Sequence, residues 1–336
     1  MNRRQGWTAV LLSLLAGCMQ TAFTPDPPTG QKITLRLNPE RGKIYSYKYT
    51  TQAATLTARS GPEDEARQAV SRHIDMQVTG ADARGGVTVR VTYTRVQIKV
   101  SSPTSLIESD SAVANREPRT FADALCRALV GPTFTVRFAD NGSVTGAGGV
   151  EELRKSIVAN VRDARPSLLS LYSDLGMRET WQAREMVLPG RPVDNGDTWT
   201  HRRELTDAYP VILEHTWTLL RHDGDTATCC VKTTVRPNPR ARPGRSRDGS
   251  ILRRSVSGTQ SGTAVVDRKT GMVRQMRITK QIVGDITPDE EGKKGKGLRI
   301  EQRGSITFTL IGVRTGALPG PGSAPGGAPG PPPRKP

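Results

Sequence analysis

Three groups of side chains could do chemistry by type and spacing: thiols, imidazoles and a lysine-bearing turn. The Cys18 thiol follows directly on Leu15, Ala16 and Gly17. Small residues there suit a signal peptidase, and a thiol in that place suits attachment of a diacylglycerol. Cys126, Cys229 and Cys230 remain, an odd number, so at most one internal disulfide can form among them. Cys126 bridged to either neighbour of the 229–230 pair and three buried free thiols are both open readings. His73, His201, His215 and His222 never fall at metal-ligand spacing, and no metal or cofactor is expected. His215 lies on an apolar face and is read as a core histidine held by a backbone hydrogen bond. Lys269-Thr270-Gly271 would supply one arm of a penicillin-binding site, but no Ser-x-x-Lys nucleophile accompanies it, so it is read as a turn. Gly258 to Gly262 reads GTQSG, which is not a nucleophile elbow. No residue is assigned a catalytic role, and the chain is read as a non-enzyme.

The thiol at 18 has an address built around it. Arg3 and Arg4 precede an apolar run from Trp7 to Leu15, too short to cross a hydrocarbon core of about 30 Å as a helix. The box Leu15-Ala16-Gly17-Cys18 is similar to the lipobox of bacterial lipoproteins. Residues 1–17 are therefore expected to be a removed signal peptide, and residues 18–30 a lipidated Cys18 with a Pro-rich tether of roughly 35 Å extended reach. Residues 31–313 are expected to form one β-rich domain, with 110–180 the place where it could divide in two. The stretch 314–336 is expected to be a disordered tail, because fourteen of residues 316–336 are Gly or Pro. The expected location is the bacterial cell envelope, anchored to a bilayer through acylated Cys18 and facing the periplasm or exterior.

A net charge of +17 and a pI near 10.3 would suit nucleic acid, but export removes that partner and leaves anionic lipid headgroups and wall polymers. Residues 237–249, with four Arg against one Asp, and 290–299, with four Lys or Arg against two Glu, carry part of the excess in two loops.

Alternation of apolar and polar residues dominates the pattern. Ile33, Leu35 and Leu37 share a face, as do Tyr45, Tyr47 and Tyr49, read as an aromatic layer on a core. Val70, Ile74, Met76 and Val78 point inward. Val87, Val89, Val91 and Tyr93 lie on one parity and Val96, Ile98 and Val100 on the other, which requires a bulge or bend at Thr94 and Arg95. Three helices are expected: one capped by Thr120 and Asp123 with Phe121, Leu125 and Leu129 inward, one over 150–161, and one from Pro166 through Leu175. Asn141-Gly142 closes a hairpin. A three-residue loop, His222 to Gly224, would pair Trp217 with Cys229 and His215 with Val231. The fold class is α+β and β-rich: a large curved antiparallel sheet or open half-barrel of about ten or eleven strands, covered by about three helices.

The stretch LPGRPVDNGDTW, with Val193, Gly196, Asp197 and Trp199, resembles a motif in an uncharacterised family of bacterial lipoproteins, a domain of unknown function. An opening strand like residues 35–50 and a closing strand-turn-strand like residues 265–278 extend the resemblance over most of 31–313. It implies structural roles only: Gly196 and Asp197 make a turn and Trp199 packs. The expected function is that of an anchored envelope protein with a cavity for a lipid-like or hydrophobic ligand. The alternative is a structural or adhesive module contacting anionic wall polymers or partner proteins through the two basic loops, with Arg240, Arg242, Arg245 and Arg247 in the first, and the tail.

Overall fold

The computed structural model describes residues 23–57, 65–113, 117–162, 164, 166–182, 186–206, 210–240, 244–245, 251–288 and 298–317. Leu15, Ala16, Gly17, Cys18, Arg242, Arg247, most of both basic loops and the tail beyond 317 lie outside the described residues.

Strands dominate because β-branched residues and threonines alternate through long runs. They are β1 Lys43–Thr57, β2 Ala66–Ala81, β3 Val87–Ser102, β4 Ser105–Asp110, β5 Thr133–Phe138, β6 Val144–Gly148, β7 Thr198–Glu204, β8 Val211–His222, β9 Thr226–Pro237, β10 Gly244–Arg245, β11 Ile251–Asp267, β12 Val273–Pro288 and β13 Leu298–Thr315. All join one antiparallel sheet in the order β6-β5-β3-β2-β1-β13-β12-β11-β9-β8-β7, with β4 added to β3 and β10 to β11. The sheet is open, ending at β6 and β7. The count exceeds expectation because β10 has two residues and β4 lacks alternation. Residues 33–37 form only a bridge, Ile33 to Val193.

The parity break is a bulge: Arg95 faces His73 and Tyr93 faces Ile74, leaving Thr94 unopposed. Tyr45, Tyr47 and Tyr49 are buried, and Tyr47 stacks on Phe308 at 4.1 Å between ring centroids.

The helices are α1 Phe121–Leu129, α2 Glu151–Asn160, α3 Pro166–Leu171 and α4 Asp174–Gln182. Thr120 and Asp123 form the expected capping box. The inward face of α1 differs from expectation: Ala122, Cys126 and Leu129 are buried, whereas Phe121 is exposed. Small side chains, Ala122, Ala124, Cys126 and Ala128, line the buried side of α1, which packs against β3 and β4. The predicted third helix is two helices, because the Ser173 hydroxyl accepts from the Gly176 N–H at 3.0 Å and starts α4 anew.

The β8–β9 hairpin keeps the expected inward face but slides by two residues, pairing Trp217 with Val231 and Leu219 with Cys229. The Asp223 carboxylate accepts from the N–H groups of Asp225 and Thr226 and the Thr226 hydroxyl, building a longer turn. A bulge at Leu220 then restores parity. Cys126, Cys229 and Cys230 are free and buried, and burial pushes the Cys126 thiol up to about 11 and that of Cys229 to about 12.

Candidate functional site

The rim of the sheet gathers the starts of β1, β3 and β12 and the ends of β2, β11 and β13. Just inside it lies a partly open apolar cavity of about 90 Å³. Tyr47 and Tyr49 come from β1, Ile74 and Met76 from β2, Val87 and Val89 from β3, Met276 from β12 and Phe308 from β13. Alternation sends all eight to the same face. Trp181 of α4 stands edge-on to Phe138 at 6.3 Å, and both border the cavity. Met186, Leu188, Leu37, Pro39 and Met272 complete it from connecting segments.

None of these side chains is charged, so water entering would find few partners. Four of the chain's seven methionines line it. Methionine is unbranched and adaptable, so the wall can reshape around a guest. A cavity of about 90 Å³ takes the end of a chain or one small ring. It is below the roughly 300–1,000 Å³ that encloses a whole drug-sized ligand. The sequence shows the tyrosines and Met76 as inward residues, but Met186 and Met272 sit in loops without periodicity and only the fold brings them in.

The motif at 193–199 lies at the same rim. Val193 is fully buried, Gly196 adopts φ 87°, and the Asp197 N–H donates to the Asp194 carbonyl at 3.0 Å. Trp199 is buried and its indole N–H donates to the Val187 carbonyl at 2.7 Å. The unanticipated residue is Asp194. Its carboxylate accepts from the Thr29 N–H at 3.1 Å, the Thr29 hydroxyl at 2.9 Å, the Gly30 N–H at 2.8 Å and the Asn195 N–H at 2.7 Å. His222 places Nε2 3.7 Å away. Asn195 donates to the Pro27 carbonyl at 3.1 Å, and the Asp26 N–H to the Leu220 carbonyl at 2.8 Å. Residues 26–30, expected as free tether, are therefore strapped to the body, because a carboxylate offering several lone pairs collects their backbone donors.

The Thr29 N–H foremost, with the Asn195 and Gly30 amides and the Thr29 hydroxyl, holds the Asp194 carboxyl down to about 2. A lowered folded value means that the clasp contributes fully above the ordinary carboxyl range, near about 3.9, and is lost as pH falls through about 2. In a 15N-glycine sample the Gly30 amide is expected to stay unmoved between about pH 7 and 5 and to titrate with a midpoint near 2. A midpoint near about 4 would mean that the clasp does not form.

His215 is buried as expected, and its Nδ1 shares a hydrogen bond with the Thr233 hydroxyl at 2.8 Å. Register continues the row from His201 through His215, Thr233 and Gln260 to Lys280. Glu179 of α4, nearly fully buried, accepts from the Thr206 N–H at 2.7 Å. Lys269-Thr270-Gly271 is a turn, with Thr270 donating to the Asp267 carboxylate. Among the described residues no group of three or more His, Cys, Asp or Glu is placed to hold a metal ion, and no helix is long and apolar enough to cross a membrane.

No curated protein matches the chain. Among solved structures it is similar at 10% identity to lipovitellin, from a study of lipid–protein interactions in that protein, with a TM-score of 0.47 over 84% of this chain. The chain spans 26% of the lipovitellin chain. The β domain of the Bordetella autotransporter BrkA aligns at 6% identity and a TM-score of 0.21, over 80% of this chain and 99% of that one. Residues 84–273, from β3 through the motif at 193–199 to the start of β12, match a family described as a family of unknown function, DUF6263. With more than half of its length matched, the chain belongs to that family.

Proposed function

We propose that the protein is a lipid-anchored protein of the bacterial envelope, held to a bilayer through Cys18, that binds a lipid-like or hydrophobic ligand without catalysing a reaction. The cavity between Tyr47, Phe308, Met76 and Met276 carries this reading, since it is uncharged, lined by adaptable side chains and partly open. Its volume of about 90 Å³ favours the end of an acyl chain, with the rest of the ligand leaving past Leu37 and Met272.

Mass spectrometry of an organic extract of protein purified from its native host is expected to find a bound lipid. Straight-chain cis-parinaric acid serves as the fluorescent probe in titrations. Val89 is buried and lines the cavity, so Val89→Phe is expected to fill it and weaken probe binding at least about tenfold, or about 1.4 kcal/mol. Overpacking would also lower stability by about 1–3 kcal/mol, so the titration is run on samples shown to be folded. Unchanged affinity in the folded variant would remove the ligand from this cavity.

A further inference from the structure

We infer that the Asp194 clasp fixes the orientation of the body on its membrane, so that the cavity opens at the bilayer surface and exchanges acyl chains directly with it. This rests on the proposed acylation of Cys18 and adds to it a defined face and a source for the ligand.

Length is the first argument. Asp26 is pinned to Leu220 and lies eight positions along the chain from Cys18. Fully extended, that stretch reaches at most about 29 Å. The 18 residues of β13 alone span about 60 Å. An anchor on so short a leash holds the pinned end of the sheet against the bilayer and keeps the opposite end, at the β3–β4 turn, away from it.

Continuity is the second. Beyond the clasp the strap stays bonded along the rim: Ile33 exchanges hydrogen bonds with Val193, Leu37 donates to the Asp140 carbonyl at 2.7 Å, and Asn38 donates to the Thr270 carbonyl at 2.8 Å. Leu37 and Pro39 on this strap line the cavity. A Cβ on Gly271 would lie 2.1 Å from the Arg36 carbonyl, so the strap crosses the β11–β12 turn where only glycine fits. Clasp and cavity entrance thus lie at one end of the sheet, the end from which the leash to Cys18 leaves.

Charge is the third. From Gln31 to Lys43 the strap carries Lys32, Arg36, Arg41 and Lys43 against the single acid Glu40. Lys32, Arg36 and Arg41 are exposed, as anionic headgroups would require.

The test uses the mature lipoprotein, purified from a lipidating host and reconstituted into vesicles containing acyl-brominated lipid. A fluorophore is placed on Lys269→Cys at the rim or on Thr104→Cys at the far end. The native thiols at 126, 229 and 230 are buried, with values pushed upward, and so resist labelling. Given the reach of the leash, quenching at 269 is expected to exceed that at 104 by at least about threefold. Inserting about ten Gly and Ser residues after Gln20 lengthens the leash without touching the fold and is expected to bring the ratio towards one. Asp194→Ala is expected to do the same in part. Equal quenching at both positions in a chain whose N-terminal mass shows acylation would overturn the orientation alone. An N-terminus without lipid would overturn the anchoring, and the orientation with it.

Discussion

Gly262→Val is expected to destabilise the protein by about 3 kcal/mol, at the upper end of the overpacking range. Gly262 sits in β11 opposite Ile278 of β12, on the face that carries the core. A Cβ there would lie 2.0 Å from the Arg277 carbonyl oxygen and 2.7 Å from the Ile278 Cα, both backbone atoms of the adjacent strand. No rotamer change relieves such a contact, so the strands must separate and their hydrogen bonds lengthen. Missing side chains at this place let the sheet bend over its core, as glycine kinks do in curled sheets. Thr259→Val, an exposed position three residues away, is the control and should stay within about 0.5 kcal/mol. Urea unfolding of both variants reads the difference. A Gly262→Val midpoint matching the parent's would mean that the sheet does not pinch there.

Trp217→Ala is expected to cost about 3–5 kcal/mol, whereas Trp217→Phe costs much less, about 1 kcal/mol. Trp217 is 1% exposed and lies in register between Trp199 and Val231. Truncation to alanine leaves a large void in the layer joining β7, β8 and β9. Its indole N–H is buried without an acceptor among the described residues, so the native state already bears the desolvation of that donor. Phenylalanine removes that burden along with some packing, and the two effects partly offset. Chemical denaturation of the two variants separates packing from hydrogen bonding. Equal losses would show that the indole nitrogen has a partner after all.

The parity break in β3 was readable because alternation is strict: a switch from Tyr93 to Val96 leaves no pairing without an extra residue. The α1 cap was readable too, since Thr120 and Asp123 act within one turn. Local chemistry of this kind needs no knowledge of the rest of the chain. The β8–β9 register was misread by two, because both pairings keep the apolar faces together and only the Asp223 turn and the Leu220 bulge choose between them.

The site divides along the same line. Tyr47, Tyr49, Ile74 and Met76 declare themselves by period, but nothing in their spacing says that Met186, Met272 and Phe308 meet them. The contact with Phe308 depends on β1 pairing with β13 across more than 250 residues, an arrangement set by long-range strand pairing rather than by any short segment. Asp194 stood inside a motif read for its turn and its tryptophan. Its grip on Thr29 and Gly30 appears only once the chain has folded back over itself. By itself, then, the sequence determined the strands, their inward faces and the local caps, because neighbours along the chain specify those. Tertiary structure decided the cavity and the strap, because both are made by side chains and backbone groups that meet only after long-range pairing.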